Sequence, residues 1–162
     1  MDLRAPTDDT MPIPQHHREN GQALSPAYQV AIPSDPAEAR RVQEHIGLLL
    51  QASPCQPHDL FSIKLALEEA LVNAIKHGNQ YDRNKKVEIT YEVHGDRFVV
   101  RITDQGEGFD PADVPDPTAV ENLERPCGRG LMLMRHYMTE VNYNTSGNSV
   151  YMTKVFRNNG KK

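Results

Sequence analysis

Tyr28, Val30 and Ile32 alternate with small or polar neighbours, a period of two that predicts a short strand over residues 27–33. The period then changes. In SDPAEARRVQEHIGLLLQA the apolar positions Val42, Ile46, Leu49 and Leu50 fall on one helical face, Ser34 or Asp35 can cap the N-terminus, and Pro36 suits the first turn. SPCQP stops this helix, and a second runs from about His58 to His77, with Gly78 as its stop. After the polar loop QYDRNKK, VEITYEV sets Val87, Ile89, Tyr91 and Val93 on one side, HGD turns the chain, and RFVVRITD returns with Phe98, Val100 and Ile102. Residues 105–127 hold four prolines and read as irregular, and a helix restarts in GRGLMLMRHYM directly after Gly128 and Gly130. EVNYNTSGNSVYMTKVF closes with two strands about a Ser-Gly-Asn turn. Helices and strands are grouped rather than alternating, in the order β-α-α-β-β-loop-α-β-β. That order predicts an α+β fold, a two-layer sandwich with helices on one face of a mostly antiparallel sheet.

The second predicted helix carries an anomaly. Its core stripe is centred on Ile63, Leu67, Ala70 and Ala74, and Leu65 and Val72 are apolar on the back as well. The polar remainder is a narrow strip of Ser62, Glu69, Asn73 and Lys76, poorer in charge than a solvated face. A surface strip is the plain reading. The alternative is a ligand cleft, in which Asn73 offers a carbonyl oxygen to a hard cation and Glu69, one turn away, orients or deprotonates a hydroxyl.

Composition narrows the class. At 162 residues the chain suits one domain with a real core, and with no Trp that core must come from Leu, Val, Ile and Met. A net charge of -4 and a pI of about 6.0 argue against a nucleic-acid binder. Cys55 and Cys127 form neither a metal-ligand pattern nor a disulfide framework, which fits a reducing cytoplasm. No apolar run approaches a membrane span, and the first residues lack an apolar signal core. Residues 1–25, rich in Pro, Asp, Gln and His, read as a disordered tail whose His16 and His17 are solvated rather than metal-binding.

Two further motifs are modest alone. DQGEGFD, Asp104 to Asp110, follows a strand whose alternation stops at Ile102. There Gly106 and Gly108 permit close backbone approach, and Asp104 can accept a hydrogen bond from an amino group such as that of adenine. In ERPCGRGLMLM, Gly128 and Gly130 lie before a helix whose free N–H groups suit a phosphate, with Arg125 just upstream. Each also reads as ordinary turn chemistry.

Their order is more specific. LEEALVNAIKHGN, then DQGEGFD, then ERPCGRGLMLM, resembles the GHKL ATPase superfamily, and within it the small anti-sigma factor serine/threonine kinases of bacteria. The resemblance covers roughly residues 28–156, inside a domain bounded at 26–158, and implies the Bergerat ATP-binding fold. It implies that Asn73 coordinates Mg²⁺ bridging the phosphates of ATP, and that Glu69 serves as base or polarises the attacking oxygen. It makes Asp104 the adenine-reading carboxylate, helped by Gly106 and Gly108. Arg125, Gly128 and Gly130 become phosphate-side elements. Ser149 stands where Thr is common, with a hydroxyl to hold a water beneath adenine. His77 also recurs at its position in relatives. The implied partners are a sigma factor and a STAS-domain anti-anti-sigma factor, and relatives that dimerise make a homodimer an expectation. The rival of another class is a non-catalytic ATP-binding module, which loss of Glu69 would have favoured. A histidine kinase fragment is disfavoured, because the first ordered element reads as a strand and not as a phosphoacceptor hairpin.

Overall fold

The computed structural model describes residues 18–19, 22–23, 27–108 and 126–157, with side chains for 27–108 and 130–157. Two dipeptides, β1 (Arg18–Glu19) and β2 (Gln22–Ala23), pair with each other in a small antiparallel ladder. They are the described part of the segment read from sequence as a tail.

The alternating run at the start of the domain forms β3 (Tyr28–Pro33). Asp35 then caps α1 (Pro36–Gln51), its Oδ1 accepting the Ala37 N–H at 2.9 Å, and Pro36 fills the first helical position. Ser34, the other candidate cap, instead donates its hydroxyl to the Lys85 carbonyl at 2.8 Å. The buried face of α1 is Ala39, Val42, Ile46 and Leu50. Helix α2 (Pro57–Val72) buries Ile63, Ala66, Leu67, Ala70 and Leu71.

The second helix differs from expectation at its end. Residues Asn73–Gly78 continue it as a π-helical turn, closed by the Asn79 N–H donating to the Ala74 carbonyl five residues back, at 2.9 Å. Such a widening inserts one residue and re-aims the side chains around it. Asn79, the residue that follows it, is fully buried.

The hairpin strands are β4 (Lys86–His94) and β5 (Arg97–Thr103), and the closing pair are β6 (Glu140–Tyr143) and β7 (Ser149–Val155). The sheet order is β3-β4-β5-β7-β6, and every pairing is antiparallel. Register aligns the apolar positions into rows. Val30, Ile89, Ile102, Val150 and Tyr143 form one row, and Tyr28, Tyr91, Val100, Met152 and Val141 the next. The helices cover this face, giving one core shared by α1, α2, the sheet, and Leu131, Met134 and Met138.

Leu131 and Met134 belong to α3 (Pro126–Tyr137). This helix starts earlier than predicted, so Gly128 and Gly130 lie inside it and not before it. Pro126 is suited to the first helical position. A helical glycine costs about 1 kcal/mol against alanine, so two within the first two turns need a reason. For Gly130 the reason is the neighbour that α3 crosses.

Candidate active site

A cleft of about 330 Å³ opens between the π-helical turn and the paired ends of β5 and β7. Ala70, Ala74, Ile102 and Val150 give it apolar walls, while Asn73, His77, Lys85, Asp104 and Asn148 supply polar groups. That mix suits an aromatic base with a few groups to orient it.

Asp104 directly follows β5, where the strand leaves the sheet. Its N–H donates to the Asn148 carbonyl at 2.9 Å, and its Oδ1 accepts the Gly106 N–H at 2.8 Å. The Asn148 amide nitrogen donates back to the Asp104 carbonyl at 3.3 Å. Burial pushes the Asp104 carboxyl above its ordinary pKa, while the Gly106 N–H and the Lys85 charge pull the other way. The loop lies unusually close to the helix end. A β-carbon at Gly78 would collide with the Asp104 carboxylate, and one at Gly106 with the Gly78 carbonyl. Gly108, at φ 81°, lines the same cleft.

Glu69 and Asn73 are half-buried, one turn apart on the α2 side of the cleft. Helix α3 crosses over them at Gly130. A β-carbon there would stand 3.0 Å from Glu69 Oε2 and 3.1 Å from Asn73 Nδ2, so both polar tips converge on one point beneath a bare backbone. Ser62, read as part of the same strip, is buried, and its hydroxyl donates to the His58 carbonyl at 3.2 Å. Lys76 is exposed. The strip is therefore a covered groove at Glu69 and Asn73 and open surface only beyond them.

The structure brings Asn73, Asp104 and Gly108 to the cleft, backs it with Gly106, and sets Glu69 and Gly130 at the Asn73 end. Ser149 is not among its lining. Alternation along β7 turns Val150 toward the cleft and Ser149 to the other sheet face, where its Oγ shares a 2.7 Å hydrogen bond with Thr103 Oγ1. The polar residue this turn presents is Asn148. Gly128 lies in the first turn of α3, and Arg125 falls outside the described residues. His77 lines the cleft, and burial, then the Lys76 charge, push its imidazole toward the neutral form. Sequence reasoning missed Gly78, Asn79, Lys85 and Asn148. Asn148 was within reach, because Val150 facing inward requires its neighbour at 149 to face out.

Among the described residues no cluster of three or more His, Cys, Asp or Glu could hold a metal. A cation at Asn73 would thus take most of its oxygens from a ligand and water, the habit of Mg²⁺ on nucleotide phosphates. A single amide oxygen on the protein side fits that ion.

A helix-on-sheet sandwich with this cleft is the architecture of a nucleotide-binding domain. Residues 32–154 match the histidine kinase-like ATPase domain, and the chain belongs to that family. It is similar to the serine-protein kinase RsbW of Staphylococcus epidermidis, 34% identical over 119 residues that cover 64% of this chain and 74% of the relative. It is also similar to the serine-protein kinase RsbW of Bacillus subtilis strain 168, 35% identical over 103 residues, 59% of this chain and 64% of the relative. A crystal structure of the RsbU and RsbW domains of Rv1364c from Mycobacterium tuberculosis superposes with a TM-score of 0.56 at 17% identity. That match covers 82% of this chain and 32% of the other, so the chain spans about a third of that protein, and the likeness concerns the fold alone. Among the described residues no helix is long and apolar enough to cross a membrane.

Proposed function

We propose that the protein is an ATP-dependent serine/threonine kinase of the anti-sigma type. It binds a sigma factor and phosphorylates a hydroxyl on a STAS-domain anti-anti-sigma partner, with a second copy of the chain as an expected dimer mate. The observation that carries this reading is the convergence of Glu69 and Asn73 beneath Gly130, at one end of a cleft whose floor is Asp104. The similarity to RsbW kinases supports it.

In this reading Asp104 accepts the adenine amino group, and the apolar walls sandwich the ring. Asn73 would hold Mg²⁺, which would supply charge neutralisation at the phosphates. The first-turn amides of α3 are assigned to the phosphates, and Arg125 keeps the phosphate-side role that the resemblance gives it. Glu69 takes the proton of the acceptor hydroxyl as its oxygen bonds to the γ-phosphorus and the bond to the bridging oxygen of ADP breaks. Catalysis is then mostly positioning and charge neutralisation. The non-catalytic alternative has no use for a carboxylate held beside the metal-binding amide.

The test is transfer of labelled γ-phosphate to a cognate STAS-domain protein. Wild-type protein that binds both ATP and the partner but transfers nothing overturns the kinase reading. Two simpler outcomes are expected beforehand. ATP with Mg²⁺, and also ADP, should raise the melting temperature, with stabilisation of about 2.7 kcal/mol at a hundredfold excess over Kd. Asp104→Asn should weaken ATP more than GTP in competition binding, and equal weakening of both would remove its adenine role.

A further inference from the structure

The end of α2 holds a polar group that the mechanism above does not use. Asn79 is fully buried, just beyond the π-helical turn. Its Nδ2 donates to Ser34 Oγ at 2.9 Å and to the Lys86 carbonyl at 3.0 Å, and its Oδ1 accepts the Gln105 N–H at 2.7 Å. A backbone N–H can only donate and a carbonyl can only accept, so these partners fix which way the amide points. The Gln105 side chain closes the circuit, its Oε1 accepting the Lys86 N–H at 2.6 Å. One amide thus joins the corner before α1, the start of β4, the helix end and the exit of β5.

Gln105 is the residue after Asp104. The same short turn carries Gly106, whose N–H bonds the Asp104 carboxylate and whose backbone lies against Gly78. The turn is therefore held from two sides. The β7 side holds it through Asn148, and the helix side holds it through Asn79. Without the Asn79 carbonyl oxygen, the Gln105 N–H loses its partner, and the helix-side anchor of the turn is gone. The backbone N–H of the same residue closes the π-helical turn on the Ala74 carbonyl.

We propose that Asn79 is a positioning residue for base selection: bonded to Ser34, Lys86 and Gln105, its buried amide holds the Asp104–Gly106 turn where it can discriminate adenine. This rests on Asp104 reading the base. Asn79 touches no ligand itself and acts through the Gln105 backbone.

The experiment compares ATP and GTP affinities, by competition against a fluorescent ATP analogue, for wild type, Asn79→Ala, Asp104→Asn and Ile46→Val. Ile46 is a core residue of α1 that is not among the lining of the cleft, and it serves as a stability control. Asn79→Ala should lower the melting temperature and narrow the ATP-over-GTP ratio about tenfold, the scale of one hydrogen bond. Ile46→Val should lower the melting temperature and leave the ratio at the wild-type value. If Asn79→Ala binds with the wild-type ratio while Asp104→Asn narrows it, Asn79 is a packing residue and the proposal fails alone. If Asp104→Asn leaves the ratio unchanged too, the adenine reading of Asp104 falls and takes this proposal with it. Should Asn79→Ala not fold, Asn79→Ser removes the same contact while leaving a small polar side chain, and the same ratio decides.

Discussion

Glu69→Gln should bind ATP with Mg²⁺ almost as wild type does and yet transfer phosphate at a small fraction of the wild-type rate. The substitution keeps the shape of a side chain that is packed under α3 at Gly130, so neither the fold nor the cleft has cause to change. Only the ability to take a proton is lost. General-base contributions are about 10²- to 10⁴-fold, and because phosphoryl transfer leans on positioning, the lower end is expected here. The measurement is single-turnover transfer to the STAS-domain partner, with both enzyme forms at equal nucleotide occupancy. Asn73→Ala makes the contrasting variant. It should abolish the metal-dependent part of ATP binding, because the amide and not the carboxylate is assigned to the cation. Equal transfer rates for wild type and Glu69→Gln would leave the kinase standing and remove the base.

Much of this site was legible because helical and strand periods place residues without help from the rest of the fold. The four-residue spacing of Glu69 and Asn73 put them on one face, and the end of alternation at Ile102 put Asp104 at a strand exit. The sheet followed for the same reason: Val30, Ile89, Ile102 and Val150 sit in one row across four strands. What stayed hidden depended on tertiary contacts. The π-helical turn leads into Asn79, whose buried amide bonds Ser34, Lys86 and Gln105 from segments distant in sequence, and KHGNQ alone looks like an ordinary helix stop. The early start of α3 is not legible because glycine ordinarily marks a helix boundary, whereas Gly130 lies inside the helix where α3 closely approaches Glu69 and Asn73. Ser149 follows the alternation of its strand and not the position of the motif: with Val150 turned to the cleft, it bonds Thr103 on the other face.

Two glycines should respond to the same substitution in opposite ways. Gly106→Ala should unfold part of the site and lose ATP binding, whereas Gly130→Ala should leave stability near wild type and slow phosphate transfer. The difference lies in what each new methyl meets. At Gly106 it meets the Gly78 carbonyl, a backbone atom fixed by the π-helical turn, so either the turn or the Asp104 loop must move. Overpacking of that kind costs about 1–3 kcal/mol, and the movement falls on the floor of the cleft. At Gly130 the methyl meets the tips of two side chains, Glu69 Oε2 at 3.0 Å and Asn73 Nδ2 at 3.1 Å, which can shift by tenths of an ångström. Alanine also favours the helix by about 1 kcal/mol over glycine, which offsets the crowding. The shift nevertheless displaces the two groups assigned to the chemistry. A 1 Å misplacement can cost about 10²-fold in rate, so a smaller one should cost about tenfold. Thermal melts and single-turnover transfer on both variants separate the cases. A Gly130→Ala protein that melts like wild type and transfers like wild type would mean that α3 merely packs on α2 at this point, and that Gly130 has no part in setting Glu69 and Asn73.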